Sequence, residues 1–130
     1  MERLVVEPAL ISNQGKFSRP HYKVQLTSKM DCLTSNLCYA ITCGVTRCAQ
    51  QYIGQTSKSL KERFSQHLGY VDRNIEATGK HFNLSGHSTS DMGVTILEKI
   101  RSKNVWFREE IESIHIRKTN SFYKGINLKP

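Results

Sequence analysis

The chain has 130 residues, with 19 Lys and Arg against 11 Asp and Glu, a formal net charge of +8 and an isoelectric point near 9.5. That length fits one domain with one core, and the basic balance favours an anionic partner, nucleic acid ahead of an acidic membrane surface. No apolar run approaches the ~20 residues of a membrane span, and Met1-Glu2-Arg3-Leu4 lacks the apolar stretch of a secretory leader. A nuclear or cytoplasmic, non-secreted location is therefore expected. The four cysteines then meet a reducing environment, where zinc ligation or burial suits them better than a disulfide framework.

Residues 1–34 read as an extension or linker, interrupted by Pro8, Gly15 and Pro20. Short strands are predicted at Val5-Val6 and, by alternation, at Tyr22-Lys23-Val24-Gln25-Leu26. A domain over 35–130 follows. Residues 36–42 carry the β-formers Tyr39, Ile41 and Thr42, and residues 50–54 return after a turn from Cys43 to Cys48, which makes a hairpin. Thr56 or Ser57 is placed to cap a helix over 58–68 that stops at Gly69. Leu60, Phe64 and Leu68 recur at i, i+4 and i+8 and must face the core.

A second helix is expected over 71–84, broken at Gly79, and a third strand over 94–100. Asn104 can cap a helix reaching Lys118 that buries Phe107, Ile111 and Ile114. The order β-β-α-(α)-β-α gives a small mixed α/β domain, a three-stranded sheet flanked by helices.

Chemistry-bearing residues gather along this frame. Tyr39 and Tyr52 lie on paired strands, and Arg63 and His67, four residues apart, share a helix face. Gly54 admits close approach of another group. Phosphodiester hydrolysis needs a group to activate water, a cation for the scissile phosphate and often a divalent metal. Arginine matches two phosphate oxygens, histidine titrates near neutrality, and tyrosine can relay a proton. Glu109, Glu110 and Glu112 on the last helix offer the carboxylate. Taken singly, each of these residues fits a bland role as a strand aromatic, a solvated helix face or helix-start acids.

Taken in order, Tyr39, Tyr52-Ile53-Gly54-Gln55-Thr56, Leu60, Arg63, His67, Glu112 and Asn127 resemble the GIY-YIG nuclease module, over about residues 36–127. The Tyr39-x3-Cys43 and Cys48-x3-Tyr52 spacings, His81-Phe82 with Gly86-His87, and Glu112 to Lys118 look closest to the nuclease domain of Penelope-like retroelements. The resemblance implies a DNA endonuclease in which Tyr39 activates water, Tyr52 positions or relays, and Arg63 holds the phosphate. It further implies that His67 assists proton transfer, that Glu112 binds one Mg²⁺ and that Asn127 supports the site. It also implies a reverse transcriptase in the parent element. The first motif reads Leu37-Cys38-Tyr39 where the name-giving form is Gly-Ile-Tyr. That departure sustains an alternative, a nucleic-acid-binding module that kept the fold and lost cleavage. Two registers fit the carboxylate, Glu112 through Arg108-x3-Glu112 or Glu110, and Glu112 is preferred.

Cys43-x4-Cys48 brackets the hairpin turn, and His81 and His87 can complete a Cys2His2 zinc set with structural character. Penelope-like nuclease domains resemble this arrangement. Cys32 is a substitute ligand, and burial of the cysteines at strand ends is the competing reading. Cys38 is expected to face the core. Basic residues such as Lys58, Lys61, Arg73, Lys80, Arg117 and Lys118 supply phosphate contacts without sequence preference.

Overall fold

The computed structural model describes residues 33–45, 47, 48 and 50–128. The strands expected within residues 1–32 lie outside the described residues, as does Cys32. The elements run β1 (Ser35–Cys43), β2 (Gln51–Ser59), α1 (Leu60–Arg73), α2 (Glu76–His81), β3 (Met92–Lys99), α3 (Val105–Thr119) and α4 (Ser121–Lys124), with a 3₁₀ turn at Thr89–Asp91. The sheet is antiparallel throughout, in the order β2-β1-β3. The expected three-stranded sheet with flanking helices is what the chain forms. Among the described residues, no helix is long and apolar enough to cross a membrane.

β1 is the middle strand, and Asn36 through Ile41 are all buried because both faces are covered. Leu37, Tyr39 and Ile41 pack with Leu60, Phe64 and Val71 of α1 and with Phe82. Cys38 and Ala40 face the other way, against Ile53, Leu97, Ile100 and Ile116 of α3. Cys38 thus faces the core as its alternation with Tyr39 predicts. Burying each Leu, Ile or Phe contributes roughly 1.5–3 kcal/mol, and this two-sided packing fixes β1 at the centre.

The helix ends differ from the sequence expectation for local reasons. β1–β2 pairing extends to Ser35 and Ser59, so Thr56 and Ser57 stay in the strand and Ser59 becomes the cap. Its Oγ accepts from the Glu62 amide at 3.2 Å, and Glu62 accepts from the Ser59 amide at 3.2 Å, a reciprocal capping box. α1 runs through Gly69 and ends at Asn74 in the left-handed region, φ 54°. Packing of Leu68 and Val71 against the core outweighs the ~1 kcal/mol that glycine costs inside a helix. Gly79 likewise does not break a helix. It lies inside α2, where a Cβ would run into the Tyr70 carbonyl of α1.

Asn104 caps α3 as expected, accepting from the Trp106 amide at 2.8 Å. The buried stripe is rotated from the predicted one. Phe107 is 48% exposed and Ile111 and Ile114 are half-buried, while Arg108, His115, Ile116 and Thr119 are buried. The cause is polar. Arg108 Nε donates to Gln55 Oε1 at 2.8 Å and its Nη1 to Asn36 Oδ1 at 3.1 Å, which turns that side of the helix toward the sheet.

The tail closes the β2 edge. The Ile126 amide donates to the Gln51 carbonyl at 2.8 Å. Asn127 accepts from the Ile53 amide at 2.7 Å and donates to the Ile53 carbonyl at 2.9 Å, as a further strand would.

Candidate active site

At the β2 edge α1, α2, α3 and the tail leave an open cavity of about 380 Å³. β2 contributes Tyr52, α1 contributes Arg63, His67 and Tyr70, and α2 contributes Glu76 and Thr78. Glu112 comes from α3 and Asn127 from the tail. Tyr52, Arg63, His67, Glu112 and Asn127, expected to act together, therefore meet on one cavity. Glu109 and Glu110 are exposed and do not line it.

Tyr39 stands behind the wall rather than on it. It is 1% exposed, and its hydroxyl lies 2.7 Å from His67 Nε2 and accepts from Arg63 Nε at 3.0 Å. Gly54 makes room for it, since a Cβ there would run into the Tyr39 hydroxyl. Close approach at Gly54 is thus taken up by this phenol. Burial holds the Tyr39 proton on, raising its pKa well above the ordinary phenol value.

Arg63 is gripped by neutral groups. Beyond Tyr39, its Nη1 donates to Gln66 Oε1 at 2.7 Å and to the Tyr70 hydroxyl at 3.1 Å. Burial opposes its charge, but the phenols of Tyr39 and Tyr70 outweigh that and hold it firmly protonated. A fixed guanidinium whose hydrogen-bond partners Tyr39, Gln66 and Tyr70 are uncharged suits an anion arriving from outside.

His67 is neutral, held at about 3 by burial and then by Arg63. Its Nδ1 lies 2.6 Å from Thr78 Oγ1. Glu112 is pushed up to about 7 by burial and by Glu109, against the pull of Arg63 and a hydrogen bond from the Gln55 backbone. Of the two carboxylates on the cavity, Glu112 is half-buried and Glu76 exposed, and one anchored carboxylate with room for water fits a hard divalent cation keeping most of its waters. Tyr52 is likewise raised, chiefly by burial, and Arg63 works against the shift.

A second polar cluster lies at the hairpin end of the sheet. One ligand atom from each of Cys43, Cys48, His81 and His87 falls within 4.8 Å of all the others. Cys48 Sγ is 3.5 Å from His81 Nε2. His87 Nδ1 lies 3.1 Å from the Ser85 carbonyl, which fixes it as the protonated nitrogen. His87 Nε2 is buried and has no hydrogen-bond partner among the described residues. A buried lone pair aimed into two thiols and a second imidazole fits a metal ion, and four donors leave no open position.

Sequence reading missed Tyr70, Gln66, Glu76 and Thr78. Tyr70 follows Arg63 by seven residues, two turns along the same helix face, so its place was in principle legible. Glu76, at φ 60°, and Thr78 reach the cavity through the fold of α2 back onto α1, which no local pattern announces.

No family model matches the sequence, and no curated protein matches it. Two solved structures are similar. One is the catalytic domain of homing endonuclease I-TevI, 20% identical with a TM-score of 0.62, covering 74% of this chain and 100% of that one. The other is a point mutant of the catalytic domain of intron endonuclease I-TevI, 21% identical with a TM-score of 0.62, covering 74% and 95%. The chain shares its fold with these catalytic domains.

Proposed function

We propose that the protein is a metal-dependent DNA endonuclease that hydrolyses phosphodiesters by in-line attack of water on phosphorus. The observation that carries this is the meeting of Arg63 and Glu112, from helices on opposite faces of the sheet, on one open cavity. The fold shared with a homing endonuclease catalytic domain supports the same reading, and the net charge of +8 suits a polyanionic substrate.

In this reading Arg63 binds the scissile phosphate and neutralises the charge that builds on it. Its Nε and Nη1 are already held by Tyr39, Gln66 and Tyr70, so it needs no reorganisation when the substrate arrives. Glu112 would hold Mg²⁺, which when bound supplies Lewis-acid stabilisation of phosphate and leaving-group charge. Tyr52, the phenol on the cavity wall, orients the water and relays its proton. Tyr39, with its hydroxyl engaged behind the wall, acts through Arg63 and His67 instead of touching the water. Asn127 holds the β2 edge in place through Ile53.

Cys43, Cys48, His81 and His87 would hold a structural Zn²⁺, their mixed thiolate and imidazole set being the usual one for that ion. Their convergence also supports kinship with Penelope-like retroelement nucleases, with a reverse transcriptase as partner in the parent element.

Supercoiled-plasmid cleavage in Mg²⁺ tests the reading. The native chain is expected to give relaxed or linear product, and Arg63→Ala and Glu112→Ala to lose about a hundredfold or more. Retained cleavage in Glu112→Ala would take the metal off Glu112 and leave Glu76 as the carboxylate on the cavity to hold it. DNA binding without cleavage by the native chain would identify an inactive binding module.

A further inference from the structure

His67 has both ring nitrogens engaged, Nε2 with the Tyr39 hydroxyl at 2.7 Å and Nδ1 with Thr78 Oγ1 at 2.6 Å. A neutral imidazole has one donor and one acceptor nitrogen, so the distances alone admit either tautomer. Tyr39 decides between them. Its oxygen already accepts from Arg63 Nε, and the phenol is buried, so its own proton needs an acceptor. Arginine offers none. Among the described residues, His67 Nε2 is the acceptor within the hydroxyl's reach. A buried hydroxyl without an acceptor costs about 1–3 kcal/mol. Nε2 therefore accepts, the His67 proton sits on Nδ1, and Nδ1–H donates to Thr78.

Thr78 is poorly explained as packing alone. It is 1% exposed, sits on the six-residue α2, and is brought against α1 by the close approach at Gly79. From there its side chain touches both His67 and the cavity.

We propose that Thr78 is a positioning residue of this site, its hydroxyl accepting the His67 Nδ1–H and so joining Tyr39 in holding the Nδ1–H tautomer, with the Tyr39 proton toward His67 and the Tyr39 lone pairs toward Arg63. The inference rests on the nuclease reading only in that Arg63 is the group finally positioned. With the opposite tautomer, His67 Nε2–H and Arg63 Nε–H would both point at the Tyr39 oxygen and the Tyr39 proton would be stranded. The guanidinium would then lose the well-directed acceptor that sets its angle to the cavity.

The test combines nitrogen-15 NMR of the His67 ring with plasmid-cleavage kinetics on the full chain, comparing native protein, Thr78→Ser and Thr78→Val. The native chain and Thr78→Ser are expected to show a protonated Nδ1 and an unprotonated Nε2. Thr78→Val, similar in shape but without the hydroxyl, leaves Nδ1–H without its acceptor and is expected to weaken that preference, with Tyr39 alone left to hold it. Its kcat should fall about 10–100-fold, the range for groups that orient a functional histidine, with KM nearly unchanged and with Thr78→Ser restoring the rate. A native Nε2–H tautomer, or a Thr78→Val chain that keeps both the Nδ1–H spectrum and the native rate, would overturn the proposal. A rate loss shared equally by Thr78→Ser would also overturn it, since the hydroxyl would not be the cause. Absence of native cleavage would sink the nuclease reading, and the spectrum would still decide whether Thr78 helps hold the tautomer.

Discussion

The cavity and the Cys/His cluster are joined by one short helix, with Thr78 of α2 lining the first and His81 at its end contributing to the second. They treat polar groups in opposite ways. On the cavity, Arg63 is surrounded by neutral partners and burial raises Glu112, so charges are kept unmatched and open to solvent. In the cluster, four ligand atoms face one another within 4.8 Å, a complete and closed set. Unmatched charge on an open wall suits a transient ligand, and a closed donor set suits a permanent one. The proposed functions of the two sites follow from that difference.

The largest effect that would break the comparison is on the cavity side. Arg63→Lys keeps the charge but loses the planar fork and the three anchored hydrogen bonds. Cleavage is expected to fall about a thousandfold, equivalent to about 4 kcal/mol. The lysine ammonium can remake part of that bonding, so a net loss of about 1 kcal/mol should move the melting point by about 5 °C. A lysine variant with near-native kcat would mean that a point charge suffices and that the neutral grip on Arg63 is incidental.

The cluster should show the reverse pattern. Cys48→Ser, or removal of the proposed zinc by a chelator, is expected to cost about 3 kcal/mol or more of stability. In a domain of this size that lowers the melting point by ~15 °C. Measured well below the new midpoint, cleavage should stay within about tenfold of native. Equal melting points with and without chelator would remove the structural-metal reading, leaving His87 Nε2 an unexplained buried acceptor.

Much of this was legible in the chain, for identifiable reasons. β1 and β3 follow from runs of β-formers, and the cap at Asn104 from a single side chain. Tyr52, Arg63, His67 and Glu112 stand out because their chemistry matches one reaction in one order. The ends of α1 and α2 were less legible. Gly69 and Gly79 are helix breakers by propensity, yet tertiary packing overrides the first and α1–α2 contact requires the second. The exposure of Phe107 was hidden for a similar reason. A buried arginine bonded across to Gln55 and Asn36 outranks a phenylalanine on the next face, and a hydrophobic periodicity cannot anticipate that.

The smallest of the three effects sharpens the comparison most, because it concerns what the cavity costs. Glu112 moves from an ordinary 4.5 up to about 7, mainly by burial and then by Glu109. Between those values the folded chain binds a proton that the unfolded chain has released. Folding stability from this group is therefore fully present below about pH 4.5 and is lost as pH rises through 7. Glu112→Gln removes the ionisation while keeping the shape. In urea denaturation without added Mg²⁺, the variant should match the native chain near pH 4.5 and exceed it at pH 8. Discounted for the solvent that reaches a half-buried carboxylate, the gain is about 1 kcal/mol. Added Mg²⁺ at pH 8 should narrow the gap by stabilising the native chain alone, since only it has the carboxylate to bind the ion. A variant less stable than native at pH 8 without Mg²⁺ would mean that attraction to Arg63 outweighs burial. Glu112 and Arg63 would then be a matched pair, and the cavity would be closed electrostatically in the same sense as the cluster.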